Sequence, residues 1–276
     1  WLQLVRLGSK FRKQRIDKII DLQNNRKSHA LAFLTFVKES YGYNLGKFGF
    51  FLTHAVKERH DSIAAAAHQF KVLNLLGISS NPNDYLELTP SALDEDYISS
   101  LLEEEWMANA KIIVGINIAA SEKWPTKNWP AKYIAQLCDM LSAKNIRVVI
   151  TGMRKDLSLS REILSLAKSK PSNFVNKTDI MQLAALIKRC KVYITPDSAP
   201  LHVAAAVHTP VIALFGPTNS KRHIPPARKL VVLEKKPACA PCYKGFCKVK
   251  THECLQTILP EQVFKEIKSL LAGVLV

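Results

Sequence analysis

The chain of 276 residues is 47% hydrophobic, enough to bury the core of two modest domains or one large one, and this excludes an intrinsically disordered protein. No uninterrupted apolar run approaches the roughly 18 residues that a membrane-spanning helix needs, and the opening WLQLVRLGSKFRKQ lacks a signal-peptide core. A cytoplasmic location is therefore expected. Because the first residue is Trp rather than Met, the sequence is also expected to lack its natural beginning.

The formal net charge of +16 is distributed unevenly along the chain. Residues 1–80 carry 13 basic and 5 acidic side chains, residues 81–108 carry 0 and 8, and residues 109–276 carry 26 and 10. The middle segment is thus predicted to be an acidic connector between two basic units. A basic surface attracts nucleic acid, a nucleotide diphosphate, a phosphorylated glycolipid or an anionic membrane face, or it only aids solubility.

Residues 109–276 alternate between strand and helix patterns. Apolar runs predict strands at 111–118, 147–152, 173–176, 191–197, 209–216 and 230–234. Helical spacing of apolar residues predicts helices at 129–144, 157–170, 179–190, 199–207 and 261–274. Thr178 or Asp179 is predicted to cap the third of these helices. Six strands alternating with helices predict a parallel, doubly wound α/β sheet, in which ligands bind at the carboxyl ends of the strands.

The segment TPDSAPLH, residues 195–202, ends one predicted strand and begins the next helix. Free N–H groups and the helix dipole at Ser198–Pro200 predict an anion site there. Asp197 would be repelled by a phosphate, so sugar hydroxyls are its predicted partners, and His202 lies one turn into the helix. The alternative is that Asp197 and Ser198 only cap this helix.

A second strand-to-helix turn, AASEKWPTKNWP at residues 119–130, carries Ser121 and Lys127. Lys127 stands just ahead of the next helix, where its ammonium group could meet a diphosphate as a point charge. Because the carboxyl ends of parallel strands lie along one edge of a sheet, the two turns are expected to face each other.

The six cysteines fall into two groups. Cys138, on the apolar stripe of a helix, and Cys190, at a helix end, are predicted to be ordinary buried thiols. The other four have the spacing C-x2-C-x4-C-x6-C: Cys239, Cys242, Cys247 and Cys254. Such a set could ligate one tetrahedral zinc or iron ion, with His252 as a substitute ligand, or the cysteines could be reduced and structural. In both cases a structural role is expected rather than a catalytic one.

Several of these segments together resemble glycosyltransferase family 9, the ADP-heptose:lipopolysaccharide heptosyltransferases and their relatives. They are RIDKIIDLQNNRKSHAL, GINIAASEKWPTKNWPAKYIAQL, YITPDSAPLHVAAAVHTPVIALFGPT and the terminal cysteine pattern. The resemblance implies a GT-B fold of two Rossmann-like domains, with an acceptor-side domain in 1–80 and a nucleotide-sugar-binding domain in 109–276. It implies inverting transfer of a heptose or related sugar from an ADP-sugar, without a metal at the reaction centre. The implied acceptor is of the lipopolysaccharide core type, an anionic glycolipid at the inner membrane face.

The resemblance also assigns roles to individual residues. Those expected to bind the donor are Ser121, Lys127, Asp197, Ser198, Ala199, Pro200 and His202. Lys27 matches a basic position on the acceptor side. Ala199 departs from the glycine that is usual in the family. The family's general base is expected upstream of Trp1, in an amino-terminal domain that is incomplete here. This chain is therefore expected to transfer sugar about 10²–10⁴-fold more slowly than a family member that has the base.

Two other interpretations stay open. One is a degenerate relative that binds a nucleotide sugar without catalysis. The other is a basic nucleic-acid-binding protein with a four-cysteine metal module, although the basic residues are scattered and no recognition helix or aromatic platform accompanies them. A metal-dependent transferase is not supported, because the single D-x-D arrangement, Asp94 and Asp96, lies in the acidic segment.

Overall fold

The computed structural model describes residues 1–57, 65–79, 81 and 85–272. The chain divides into two compact units, Trp1–Asp84 and Tyr85–Val276. Each unit contains one parallel sheet among its described residues. The α/β class predicted from the alternating pattern is therefore confirmed.

The first unit alternates helices with short strands. Its elements are α1 (Leu2–Lys13), β1 (Lys18–Ile20), α2 (Arg26–Leu34), β2 (Glu39–Tyr43), β3 (His54–Val56) and α3 (Ala65–Asn74). The strands pair in the order β1-β2-β3, with Lys18 opposite Glu39 and Tyr41 opposite His54. Tyr41, Tyr43 and Val72 form the buried apolar core of this unit.

Polar side chains order the turn between β1 and α2. Asp21 follows β1 and lies 3.3 Å from the buried His29 ring, whose Nδ1 is 2.6 Å from the Lys47 carbonyl oxygen. Asn25 caps α2 by accepting hydrogen bonds from the N–H groups of Lys27 and Ser28 at 2.9 and 3.0 Å. The Lys27 residue is exposed in this first turn, at the carboxyl end of β1.

The second unit is built on a sheet whose six strands match those predicted. They are β4 (Ile113–Asn117), β5 (Arg147–Thr151), β6 (Ser172–Asn173), β7 (Val192–Pro196), β8 (Val211–Phe215) and β9 (Leu230–Glu234). All pairs are parallel, in the order β6-β5-β4-β7-β8-β9. β6 is shorter than predicted because the Asn173 side chain accepts a hydrogen bond from the Val175 N–H at 3.1 Å and turns the chain there.

Helices connect these strands. They are α4 (Ala92–Glu104), α5 (Ala131–Ser142), α6 (Leu157–Leu166), α7 (Ile180–Arg189), α8 (Ala199–Ala206), α9 (Ser220–His223), α10 (Glu253–Gln256) and α11 (Pro260–Leu271). Asp179 caps α7, accepting hydrogen bonds from two backbone N–H groups, which settles the choice between it and Thr178. No helix among the described residues is long and apolar enough to cross a bilayer.

The acidic segment 81–108 differs from its prediction as a connector. The division between the units falls near its beginning, and most of it belongs to the second unit. α4 buries Ile98 and Leu102 in that unit's core. Its acidic residues lie on the outer side, where Glu95 pairs with Lys188 at 2.8 Å. Charge composition alone could not show this, because an amphipathic helix and a solvated linker both carry acidic residues.

Small residues allow close packing around the central strands. β4, β7 and β8 are buried along their whole length. A Cβ at Gly115 in β4 would overlap the Tyr193 ring of β7. In α8, Ala204 and Ala205 have no exposed surface, so that helix lies directly against the sheet. This packing fixes where the start of α8 is placed.

Candidate functional site

A cavity of about 570 Å³ lies at the carboxyl ends of β4, β5 and β7, wholly within the second unit. Its lining comes from the turns that follow these strands and from the starts of α7 and α8. The strand order shows why it forms here. The chain builds β4, β5 and β6 outward in one direction and then returns to add β7, β8 and β9 on the other side. The crevice between β4 and β7 is the topological switch point, where open α/β sheets bind ligands.

An ion pair is the central feature of this cavity. The Lys127 ammonium nitrogen lies 2.8 Å from Asp197 Oδ2, and the two side chains are only 15% and 9% exposed. The Thr218 hydroxyl, in the turn after β8, donates a hydrogen bond to the same carboxylate oxygen at 2.7 Å. The Lys127 ammonium also lies 4.9 Å from the centre of the Trp124 ring. Two turns predicted to face each other are thus joined by a direct contact.

The amino terminus of α8 opens onto the same cavity without a side-chain cap. Ser198 stands at the N-cap position, but its hydroxyl donates to the Pro196 carbonyl at 3.2 Å instead of accepting from the helix. The Asp197 carboxylate is bound to Lys127 and Thr218. The interpretation of Asp197 and Ser198 as helix caps is therefore wrong. Pro200 has no N–H, and the Leu201 N–H donates to the Ser198 carbonyl oxygen at 3.0 Å. The N–H groups that can meet an anion here are therefore those of Ser198 and Ala199.

A buried amide positions this uncapped turn. Asn117, the last residue of β4, is 6% exposed, and its Nδ2 lies 3.0 Å from Ser198 Oγ and 3.1 Å from Thr195 Oγ1. Nδ2 also donates to the Ala119 carbonyl at 2.8 Å. One side chain thus joins the end of β4 to the start of α8 and the beginning of the Lys127 turn. Ser121, in that turn, is exposed at the cavity wall.

Two lysines supply positive charge to the cavity. Besides Lys127, Lys155 lines its wall and donates from Nζ to the Ala120 carbonyl oxygen at 2.8 Å. Three carboxylates line it as well. Asp197 pairs with Lys127, Asp179 accepts hydrogen bonds from two backbone N–H groups, and Asp156 accepts one from the Met153 N–H. Since each carboxylate already has partners, an anionic ligand would be placed at the two lysines and the uncapped start of α8.

Two imidazoles lie near the ion pair. His202 lines the cavity and has part of its surface exposed there. The protein around the rest of the ring lowers its pKa by burial, and the negative charge of Asp197 partly opposes this lowering. Burial likewise lowers the pKa of His223, again against the effect of Asp197. Because an ordinary histidine has a pKa near 6.5, this lowering favours the neutral form of both rings at pH 7. They can donate or accept hydrogen bonds there without adding charge.

Comparison with known proteins identifies the family. The sequence profile of glycosyltransferase family 9 (heptosyltransferase) matches residues 4–253. The chain belongs to glycosyltransferase family 9. A lipooligosaccharide heptosyltransferase 2 from Campylobacter jejuni is 34% identical over 170 residues, which are 59% of this chain and 53% of that protein. The matched region thus spans about half the length of that relative.

Solved structures of family 9 members share the fold. The glycosyltransferase family 9 protein from Veillonella parvula matches with a TM-score of 0.83 and 25% identity over 97% of this chain and 78% of that chain. The Escherichia coli ADP-heptose lipopolysaccharide heptosyltransferase II matches with a TM-score of 0.77 and 23% identity over 98% and 81%. The GT-B fold class that the resemblance implied is confirmed.

The seven donor residues expected from family 9 all line the cavity: Ser121, Lys127, Asp197, Ser198, Ala199, Pro200 and His202. Their contact with a donor stays a prediction. The family pattern did not reveal that Lys127 and Asp197 bind each other. Thr218, Asn117 and Lys155 were also missed. The sequence did contain a signal for two of them: Asn117 is a polar residue at the end of a buried strand, and Thr218 follows another. Polar residues at these positions lie at the edge of the sheet where ligands bind.

The cysteines of this family 9 chain separate as predicted into buried and accessible groups. Cys138 and Cys190 are buried, and burial raises the pKa of each to about 12. Burial raises the pKa of Cys254 to about 11, and the nearby Cys239, Cys242 and Cys247 add to the increase. Those three cysteines are thus near enough to Cys254 for their charges to act on it. Yet no three or more His, Cys, Asp or Glu side chains in the described part of the chain are grouped so that they could hold a metal ion.

Proposed function

We propose that this protein is an inverting glycosyltransferase that moves a heptose or related sugar from an ADP-sugar to a lipopolysaccharide core-type acceptor. The observation that carries the proposal is the nearly buried Lys127–Asp197 pair beside the uncapped start of α8. This arrangement offers a cation and free N–H groups to a diphosphate, and a carboxylate to sugar hydroxyls. Membership of family 9 supports the same donor class.

In the proposed donor complex the diphosphate lies against the first turn of α8. The N–H groups of Ser198 and Ala199 and the Lys127 ammonium hold its oxygens, with Ser121 at the wall. Lys127 then exchanges the Asp197 carboxylate for a phosphate oxygen. Asp197 keeps its hydrogen bond from Thr218 and turns its free acceptor sites to the hydroxyls of the sugar.

The proposed reaction is a single displacement at the anomeric carbon: the acceptor hydroxyl attacks, its proton passes to a general base, and the bond to the nucleoside diphosphate breaks as that group leaves. Negative charge grows on the leaving diphosphate, and Lys127, Lys155 and the α8 dipole are placed to stabilise it. No metal at the reaction centre is required by this scheme. Asp197 suits sugar binding better than proton abstraction, since Lys127 and Thr218 both bind its carboxylate.

The acceptor side of the proposal rests on the first unit. Lys27 is exposed at the start of α2, where a phosphate of an anionic glycolipid could bind. Phe33, Phe36 and Phe50 are 48%, 65% and 68% exposed, and the Arg12 guanidinium lies 4.0 Å from the centre of the Phe36 ring. Exposed aromatic rings beside basic groups are typical of proteins that contact anionic membrane surfaces. We therefore propose a cytoplasmic protein that contacts the inner membrane peripherally.

One set of binding measurements tests this function against its alternatives. The intact chain is expected to bind ADP by calorimetry and to sediment with vesicles containing anionic lipid, while duplex and single-stranded DNA are not retained at the same salt concentration. Neutral vesicles are the control. Retention of DNA without binding of ADP would support the nucleic-acid-binding interpretation and overturn the proposal. Binding of an ADP-sugar by this protein without any transfer of the sugar to an acceptor would favour a degenerate binder.

For the cysteine-rich loop, residues 239–254, we propose a structural role with one bound zinc or iron ion. The C-x2-C spacing supports it, and Cys239, Cys242 and Cys247 are close enough to Cys254 for their charges to raise its pKa. Among the described residues these side chains are not grouped as metal ligands, so binding would have to draw them together. Elemental analysis of protein purified without added metal is then expected to find about one metal ion per chain. Titration of the reactive thiols in the folded protein provides the control. Cys138 and Cys190 are buried and stay unreactive with or without bound metal, so the titration counts the four cysteines of the loop alone. Four freely titrating thiols in a metal-free protein would contradict the proposal.

A further inference from the structure

The cysteine-rich loop contacts both turns that build the Lys127–Asp197–Thr218 arrangement. The segment responsible is Tyr243–Gly245, called here the clamp segment, which lies between Cys242 and Cys247. None of its residues lines the cavity itself. Its contacts reach the turn that carries Lys127 on one side and the turn that carries Thr218 on the other.

On the Lys127 side, the clamp segment contacts the residues just before the lysine. Thr126 is 5% exposed, and its hydroxyl donates to the Lys244 carbonyl oxygen at 2.6 Å. Thr126 belongs to the short 3₁₀ helix Pro125–Lys127, so this bond holds the turn from which the Lys127 side chain extends. Gly245 lies against the Lys123 carbonyl so closely that an added Cβ would overlap that oxygen. Glycine is required here by space.

On the Thr218 side, the contacts are made by Tyr243. Its N–H donates to the Pro217 carbonyl oxygen at 2.8 Å, and its hydroxyl oxygen accepts from the Asn219 N–H at 3.3 Å. These two partners flank Thr218, whose own hydroxyl donates to Asp197. The turn after β8 is thus held at the residues on either side of the one that binds the carboxylate.

We propose that the clamp segment is a positioning element of the donor site, and that Thr126 and Gly245 are positioning residues that set donor affinity through it. By holding both turns, the segment fixes the location of Lys127 and of Thr218 relative to Asp197 and the start of α8. A ligand that binds between them then contacts groups that are already held in place, so the entropy cost of ordering those groups on binding is smaller. This inference rests on the proposed function, because it presumes that the cavity binds the nucleotide diphosphate.

A matched pair of buried threonines provides the test. Thr126→Val keeps the shape of the side chain but removes the hydrogen bond to Lys244. Thr209→Val removes an equivalent bond, since Thr209 is also 5% exposed and donates to the Ile187 carbonyl at 2.9 Å, in a part of the unit that does not line the cavity. Thr126→Val is expected to weaken ADP binding roughly fivefold, whereas Thr209→Val leaves it unchanged and Thr126→Ser restores it. Thermal unfolding midpoints of the two valine variants should fall by similar amounts.

The outcomes separate this inference from the function on which it rests. Failure of the parent chain to bind ADP would remove the proposed function. An ADP affinity of Thr126→Val equal to that of Thr209→Val would overturn the clamp inference while leaving the function intact. Should Thr126→Val fail to fold, Gly245→Ala gives the same answer, because its methyl group must displace the Lys123 carbonyl and with it the Lys127 turn. An ADP affinity of Gly245→Ala equal to that of the parent would then overturn the inference.

Discussion

Replacing Lys127 with Ala is expected to weaken the binding of ADP and of ADP-heptose alike, by roughly 1.5–3 kcal/mol, or about 10- to 150-fold. Both ligands carry the diphosphate that the ammonium group is proposed to hold, and the side chain is only 15% exposed, so solvent weakens the interaction little. Calorimetric titration of the variant and the parent with both ligands measures the change.

The control for this variant is Lys123→Ala. Lys123 lies in the same turn, carries the same charge and is exposed, but does not line the cavity. Its removal should change ADP affinity by less than about twofold, because exposed charges contribute little. If Lys127→Ala bound ADP as tightly as Lys123→Ala does, the diphosphate site would not be where the strand order and the start of α8 place it.

Asp197→Asn is expected to act in a different way from Lys127→Ala, although the two residues form one ion pair. The amide keeps the shape of the side chain and can still accept a hydrogen bond from Thr218, but it no longer holds Lys127 by charge. ADP affinity should be unchanged or slightly higher, since the lysine is released for the phosphate. The added affinity that the sugar gives to ADP-heptose should fall by about 1.5–3 kcal/mol, because a charged acceptor of the sugar hydroxyls is lost.

The difference between the two ligands is the measured quantity for Asp197→Asn. ADP serves as the control ligand on the same protein preparation, so a change in folding would appear in both titrations. A variant that lost ADP affinity as Lys127→Ala is expected to do, with no further loss for ADP-heptose, would show that Asp197 positions the lysine and does not bind the sugar.

The strands and the turns of the proposed donor site could be predicted from sequence because their signals are local. Apolar runs and helical spacing indicated the six strands of the second unit, and parallel geometry then placed residues 119–130 and 195–202 along one edge. The cavity forms there. Family 9 resemblance added the seven expected donor residues, all of which line it.

Contacts between distant residues were beyond such reasoning. Lys127 and Asp197 are separated by 70 positions. No local sequence pattern indicates whether their side chains contact each other or each remains unpaired until a ligand binds. Likewise Thr126 and Lys244 are 118 positions apart, so a cysteine-rich loop that looked remote from the donor turns proved to touch them. The acidic segment was interpreted as a linker because its charge dominated its composition, while the buried face of α4 depended on Ile98 and Leu102.

If the cavity binds a nucleotide sugar as proposed, the ion pair gives it a form of selectivity that neither charge would have alone. In the proposed donor complex Lys127 leaves Asp197 for a phosphate oxygen, so inorganic phosphate alone would leave that nearly buried carboxylate with the Thr218 hydrogen bond as its remaining support. A nucleotide sugar brings an anion for the lysine and hydroxyl groups for the aspartate in one molecule, so both halves of the broken pair gain a new partner. The proposed site should therefore favour a ligand that carries both groups over one that carries the anion alone, and inorganic phosphate that bound as tightly as ADP-heptose would contradict this.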